Sequence, residues 1–128
     1  MQVIDGYQLV EVHRSLDGEV YLVVMRALSG DLTIGFTTEP DRGPKGLLGH
    51  THGDILAKTT GLSEDTAVRN YVDRILHDAA IIGVVRVGDE ILNLWETEDP
   101  AESVRYKTDE ETFEFRRWSG AIVSVNEG

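Results

Sequence analysis

Val20-Tyr21-Leu22-Val23-Val24-Met25 and, after the turn Ser29-Gly30-Asp31, Leu32-Thr33-Ile34-Gly35-Phe36-Thr37 form the stretch on which the fold turns. The first run is apolar on both faces of an extended chain, so it reads as a central strand covered on both sides. In the second, Leu32, Ile34 and Phe36 alternate with Thr33, Gly35 and Thr37, the period of a strand with one buried face and one face in water. Working outward, Asp17-Gly18 is a two-residue turn pair whose tolerance of positive φ joins residues 7–15 to residues 19–28 as a hairpin. The first third of the chain is therefore expected to be an antiparallel meander.

Downstream, Pro40, Gly43, Pro44, Gly46 and Gly49 punctuate residues 39–53. Such spacing marks a long loop, and long loops in small domains often carry contacts with partners. Asp54 is placed to cap a short helix ended by Gly61, with Ile55, Leu56 and Leu62 facing inward. A longer helix follows. Ser63 is a good N-cap, Glu64 and Asp65 sit in the first turn where the helix dipole favours them, and Ala67, Val68, Tyr71, Val72, Ile75 and Leu76 make one apolar stripe. Residues 80–87 and 90–95 read as a hairpin about Gly88-Asp89, after which residues 96–100 leave the sheet. Residues 104–108 and 112–118 read as a further hairpin around Asp109-Glu110-Glu111, and residues 121–125 as a last apolar run. The sum is one domain over residues 1–128. Its class is α+β: an antiparallel or mixed β-sheet of about six to eight strands with one principal amphipathic α-helix packed on one face.

A chain of 128 residues carrying a formal charge of −11 can bury a single core, and its charge opposes binding to phosphates or to anionic membrane. No nucleic-acid or membrane partner is expected. The chain has no cysteine, its first residues lack the basic start and apolar core of a secretion signal, and no apolar run reaches membrane-spanning length, so a reducing, cytoplasmic setting is expected. The charge is also clustered. Asp89, Glu90, Glu96, Glu98, Asp99, Glu102, Asp109, Glu110, Glu111 and Glu114 face only Arg105 and Lys107 in the same stretch. Trp95, Tyr106, Phe113 and Phe115 run through it, so it reads as a folded acidic surface rather than a disordered tail. Global acidity alone is a solubility device; clustering around aromatic anchors points to a cationic partner. The candidate partner-binding residues are Trp95, Glu96, Glu98, Asp99, Glu102, Asp109, Glu110 and Glu111. Tyr106 and Trp118 are further anchors, and Trp95 with Trp118 would line the seam if the partner were a second copy of the chain.

The alternative chemistry lies in Gly49-His50-Thr51-His52-Gly53-Asp54. His-x-His on an extended segment puts both imidazoles on one side, and a following carboxylate can join a divalent metal site. The spelling partly resembles the His-x-His-x-Asp-His motif of the metallo-β-lactamase superfamily, with Ile55 standing where that motif has its next His. A metal-binding domain or metal-dependent hydrolase using His50, His52 and Asp54 is thus the second reading. The bland reading is a loop in which Asp54 starts a helix and the histidines hydrogen-bond around it. Nothing else points to catalysis. There is no Gly-x-Ser-x-Gly elbow, and Gly43-Pro44-Lys45-Gly46 lacks the spacing of a phosphate loop, so neither an enzyme nor a cofactor is expected.

Asp31-Leu32-Thr33-Ile34-Gly35-Phe36, the segment His50-Thr51-His52-Gly53-Asp54, the helix around Tyr71-Val72-Asp73-Arg74-Ile75-Leu76 and Trp95, set in a small acidic chain without cysteine, resemble the cytoplasmic immunity proteins of bacterial contact-dependent and polymorphic toxin systems. The resemblance is one of overall style and transfers no individual interface residue. It implies a non-catalytic inhibitor that covers the active site of a basic toxin, commonly a nuclease, by placing carboxylates where nucleic-acid phosphates would lie.

Overall fold

The computed structural model describes residues 3–104 and 108–124. Among these, β1 (Val3–Ile4), β2 (Tyr7–Arg14), β3 (Tyr21–Ala27) and β4 (Leu32–Thr37) are followed by a 3-10 segment, Pro40–Gly46, and β5 (Gly49–His52). Helices α1 (Gly53–Thr60) and α2 (Glu64–Leu76) come next, then β6 (Ile81–Val87), β7 (Glu90–Thr97), the short α3 (Pro100–Val104) and β8 (Thr112–Arg116). The class is α+β with antiparallel ladders throughout, and the strands divide between two sheets, ordered β1-β2-β3-β4-β5 and β7-β6-β8. As the sequence indicates, β3 is central, and Leu22, Val23, Val24 and Met25 are all buried. Gly18 and Gly88 take the left-handed backbone at the two hairpin turns, the conformation for which glycine is suited.

One core joins both sheets to the long helix. Leu22, Val24, Ile34 and Phe36 face Ile82, Val84, Leu94 and Trp118, with Val68, Val72 and Ile75 of α2 closing the side. Ser63 caps α2 by accepting a hydrogen bond from the Thr66 amide, and the predicted stripe on this helix is the buried one. Trp118 is only 4% exposed, so it belongs to this core and not to a seam between copies.

Five local expectations change. The face of β4 expected to meet water is covered, since all six of its residues are buried. The segment rich in Pro and Gly folds back over it: Thr37 Oγ1 donates to the Gly46 carbonyl at 2.7 Å, Leu47 lies against Gly35, and Ile4 lies against Gly43. Helix α1 begins one residue before Asp54, with His52 at the N-cap position and no side chain capping it; Ile55 and Leu62 are exposed and Leu56 alone packs on the core. β7 continues through Glu96 to Thr97 instead of leaving the sheet at residue 96. Val104 ends α3 rather than opening a hairpin, and β8 pairs with β6. Of residues 121–124, Ile122 alone makes a β-bridge, to Arg116, and the Val123 amide donates to the Phe115 carbonyl. Arg105, Tyr106, Lys107 and Val125, which figured in those expectations, lie outside the described residues.

The second sheet is fastened to the β2–β3 turn by a buried charge. Arg116 is 1% exposed and donates to both Asp17 carboxylate oxygens, at 2.7 and 2.9 Å, and to the Trp118 carbonyl. Glu19 lies 3.4 Å from the same guanidinium and also pairs with Arg86, which in turn reaches Glu114. At the far end of α2, Asp78 takes the left-handed backbone and its carboxylate accepts from the Ser119 amide at 2.8 Å, fixing the chain after β8 to the helix end.

These anchors set an acid limit. Hydrogen bonds from Arg116, only partly opposed by burial, hold the Asp17 carboxyl below its usual range, and hydrogen bonds from Ser119 do the same for Asp78. A carboxyl depressed in the folded state contributes stability that is present above its unfolded value and is lost as pH falls through the folded value. Denaturant midpoints are therefore expected to hold steady above pH 5 or so and to fall progressively below about pH 4, near the unfolded carboxylate value. The Asp17→Asn variant should show a shallower fall. An equally steep acid limb in that variant would remove Asp17 from the account.

Candidate functional site

The two sheets meet edge to edge along β5 and β7. Leu94 N donates to the Leu48 carbonyl at 3.2 Å, while Leu48 N donates to Phe36 on the other side. Gly49 sits directly against the Leu94 carbonyl, a position that leaves no room for a Cβ. Two openings lie by this junction, one with Leu48 and the other with Gly49 in its wall.

The smaller opening has a volume of about 270 Å³, and Phe36, Leu56 and Tyr71 line it together with His50 from β5 and with Trp95 and Glu96 from β7. It thus joins His50 of one predicted constellation to Trp95 and Glu96 of the other. Glu96 follows Leu94 by two residues, so it stands on the core side of β7, where its Oε1 accepts from Arg74 Nη2 at 3.1 Å. Its side chain is 18% exposed, so it is a half-buried, paired carboxylate and not the open acid expected. Burial, reinforced by the Glu96 charge and opposed by Arg74, pushes the Tyr71 phenol up to about 12. In an ultraviolet pH titration Tyr71 is expected to ionise about two units above an ordinary tyrosine. Ionisation near 10 would mean that water and ions reach it freely.

Trp95 is half-buried for a reason written in β6. Gly83 pairs in register with both Trp95 and Phe115, and the absent side chain lets the indole lie across the strand. Phe113 and Phe115 meet the indole edge-on, with centroids 5.8 and 6.1 Å away. A side chain so held is rigid, which suits a preformed anchor better than a flexible one.

The larger opening, about 590 Å³, is polar. Glu19, Glu39, Asp89 and Glu90 line it with Arg42 and Arg86. Arg86 is engaged by Glu19 and Glu114, and Arg42 lies 3.4 Å from Glu39, so the opening keeps an excess of negative charge at Asp89 and Glu90.

The acidic stretch does not form one surface. Register places Asp89, Glu90 and the residues just before Thr112, namely Asp109, Glu110 and Glu111, at one end of the β7-β6-β8 sheet. Glu98, Asp99 and Glu102 stand at the other end, beyond Thr97, so the eight residues of β7 separate the groups by roughly 25 Å at about 3.3 Å per residue. Glu98, Asp99, Glu102, Asp109 and Glu110 are exposed and Glu111 is half-buried, its carboxylate accepting from the Thr108 amide at 2.9 Å. Asp89, Glu90, Glu98, Asp109 and Glu110 take part in no ion pair among the described residues.

His50 and His52 do share a face of β5, with ring centroids 5.0 Å apart. His52 Nδ1 lies 3.3 Å from Thr33 Oγ1, and the Asp54 carboxylate turns to its neighbour's amide, accepting from Ile55 N at 2.8 Å. Among the described residues, no group of three or more His, Asp or Glu side chains is arranged to hold a metal ion. No helix among the described residues is long and apolar enough to cross a membrane.

Two parts of the site had no reading in the sequence. Tyr71 and Phe36 were assigned to the core by their periods, yet each has an edge on the pocket. The Arg116 anchor carries one signal, a pair of arginines, Arg116-Arg117, that interrupts the alternation between Phe115 and Trp118, but nothing in the sequence names Asp17 as the partner of either. No family model matches the chain, and no similar curated protein or solved structure is found for it.

Proposed function

We propose that the chain is an immunity-type inhibitor without catalytic activity, which binds a cationic toxin domain, a nuclease being the commonest kind, in the interior of the cell. Glu98, exposed at the end of β7 and in no ion pair among the described residues, and flanked by the exposed Asp99 and Glu102, is the observation that carries this reading. Glu98 follows by two residues Glu96, which lines the pocket with Tyr71 and Phe36, and the rigid Trp95 lies on the other face of the same strand, so a charged rim borders aromatic surface. That combination is the usual anatomy of a protein interface: the rim sets encounter rate and the aromatics hold the complex. A nuclease cleft must be positive to take phosphates, and a negative plug competes for the same field.

Charge reversal tests the reading. Glu98→Lys, Asp99→Lys and Glu102→Lys together should slow association with the partner by about tenfold or more at low salt and flatten its salt dependence, with an unchanged circular dichroism spectrum and melting point. Reversing Asp89, Glu90, Asp109 and Glu110 at the opposite end should reduce the rate less. Association unaffected by the first set contradicts the proposal.

A further inference from the structure

We propose that the smaller opening at the β5–β7 seam is a socket for one arginine side chain of the partner. This rests on the inhibitor reading and names the contact it uses. Tyr71 and Phe36 supply aromatic surface, His50 stands at the rim, Leu56 is apolar, the strand contributes its backbone at Trp95, and Glu96 is the one carboxylate among them. A guanidinium asks for this set. It is planar, so it stacks on aromatic faces; it is weakly hydrated, so it tolerates an apolar floor; and it pairs with a carboxylate through a fork of N–H donors. The volume of about 270 Å³ falls below the range of pockets that hold cofactors or drug-sized ligands, and matches a single inserted side chain better.

The site already shows how such a group is received. Arg74 of α2 donates to Glu96 Oε1, yet its own side chain is 46% exposed and is not part of the pocket wall. Arg74 therefore approaches the carboxylate from the solvent side of α2. An incoming guanidinium approaches from the pocket and either shares Glu96 with Arg74 or displaces it. The formal charge of −11, with Glu98 two residues further along the chain, supplies the attraction that brings a cation to this mouth.

The test uses the intact protein and two probes of the same shape, n-butylguanidinium chloride and uncharged N-butylurea, titrated at moderate salt while amide and indole signals are followed by NMR. n-Butylguanidinium should saturate in the millimolar range, with shifts concentrated at Gly49, His50, Thr51, Trp95 and Glu96. N-Butylurea should bind about fivefold more weakly or worse. Glu96→Gln, which keeps a hydrogen-bond acceptor for Arg74, should erase the preference for charge; Arg74→Gln, which removes the competing cation, should tighten n-butylguanidinium by about threefold. Equal binding of the two probes, or shifts that spread over Asp89, Glu90 and Asp109 without saturating, overturns the socket. The inhibitor reading fails separately, through a partner whose association ignores reversal of Glu98, Asp99 and Glu102.

Discussion

Asp17→Ala is expected to destabilise the protein by about 3 kcal/mol, because it strips the bidentate partner from a guanidinium that is 1% exposed. Breaking a buried pair from one side ordinarily costs about 3–5 kcal/mol; the lower end applies here because Asp17 is itself 35% exposed and Glu19 remains within 3.4 Å. The reverse change is milder. Arg116→Met replaces the charge with an apolar chain of similar reach, and the Asp17 carboxylate left behind can turn to water, so a loss of about 1–2 kcal/mol is expected. The double variant Asp17→Ala, Arg116→Met should be more stable than Asp17→Ala alone. Denaturant unfolding of the three variants checks this; a double variant that falls below both singles would show that the pair is not a coupled unit.

Gly49→Ala should be at least as damaging, at about 3 kcal/mol or more. Its Cβ would overlap the Leu94 carbonyl oxygen, a backbone atom held in place by β6 on the other side of β7. Overpacking commonly costs about 1–3 kcal/mol when side chains can yield, but here strand must part from strand. The Leu94–Leu48 hydrogen bond would go with it, and both openings along the seam would change shape. Thermal melting gives the stability loss, and hydrogen exchange should show earlier opening at Leu94 than at Val84, which lies inside the three-stranded ladder. Near wild-type stability would mean that the two sheets are not joined in this way.

What could be read from the sequence was what local spacing controls. Two-sided apolarity put Val20–Met25 at the centre of a sheet, Asp17-Gly18 and Gly88-Asp89 placed two turns, and Ser63 with the stripe from Ala67 to Leu76 placed the long helix. What escaped was set by contacts between distant segments. The alternation of Thr33, Gly35 and Thr37 indicates a wet face only if nothing folds over it, and residues 40–47 do. Nothing local tells β8 to pair with β6 across from β7, so the split into two sheets was hidden.

The candidate site shows the same division. Counting acids along the chain treated neighbours in sequence as neighbours in space, whereas an extended strand carries its two ends far apart and alternates its faces. Glu96 and Trp95 are adjacent residues on opposite sides of β7, one turned towards Arg74 and the other lying over Gly83. A carboxylate two residues from the buried Leu94 was the one available sign that Glu96 would be taken indoors, and the matching cation lies 22 positions earlier in the chain. The positive-φ requirement at Gly18, by contrast, is local, which is why that hairpin was recoverable from two residues.

The claim that this chain neutralises a basic toxin is tested most directly by capture and rescue. Tagged wild-type protein and the Glu98→Lys, Asp99→Lys, Glu102→Lys variant are used to retain proteins from a lysate of the cells that make it, at low salt and at about 0.5 M salt, where attraction between exposed charges is screened to a few ångströms. Each retained protein is then expressed alone and together with the wild-type chain. The account predicts one basic protein, held in near-equal amount at high salt, lost with the variant, toxic when expressed alone and harmless when co-expressed. Many basic proteins that all wash away at high salt, or a retained protein whose toxicity the chain does not relieve, would contradict it.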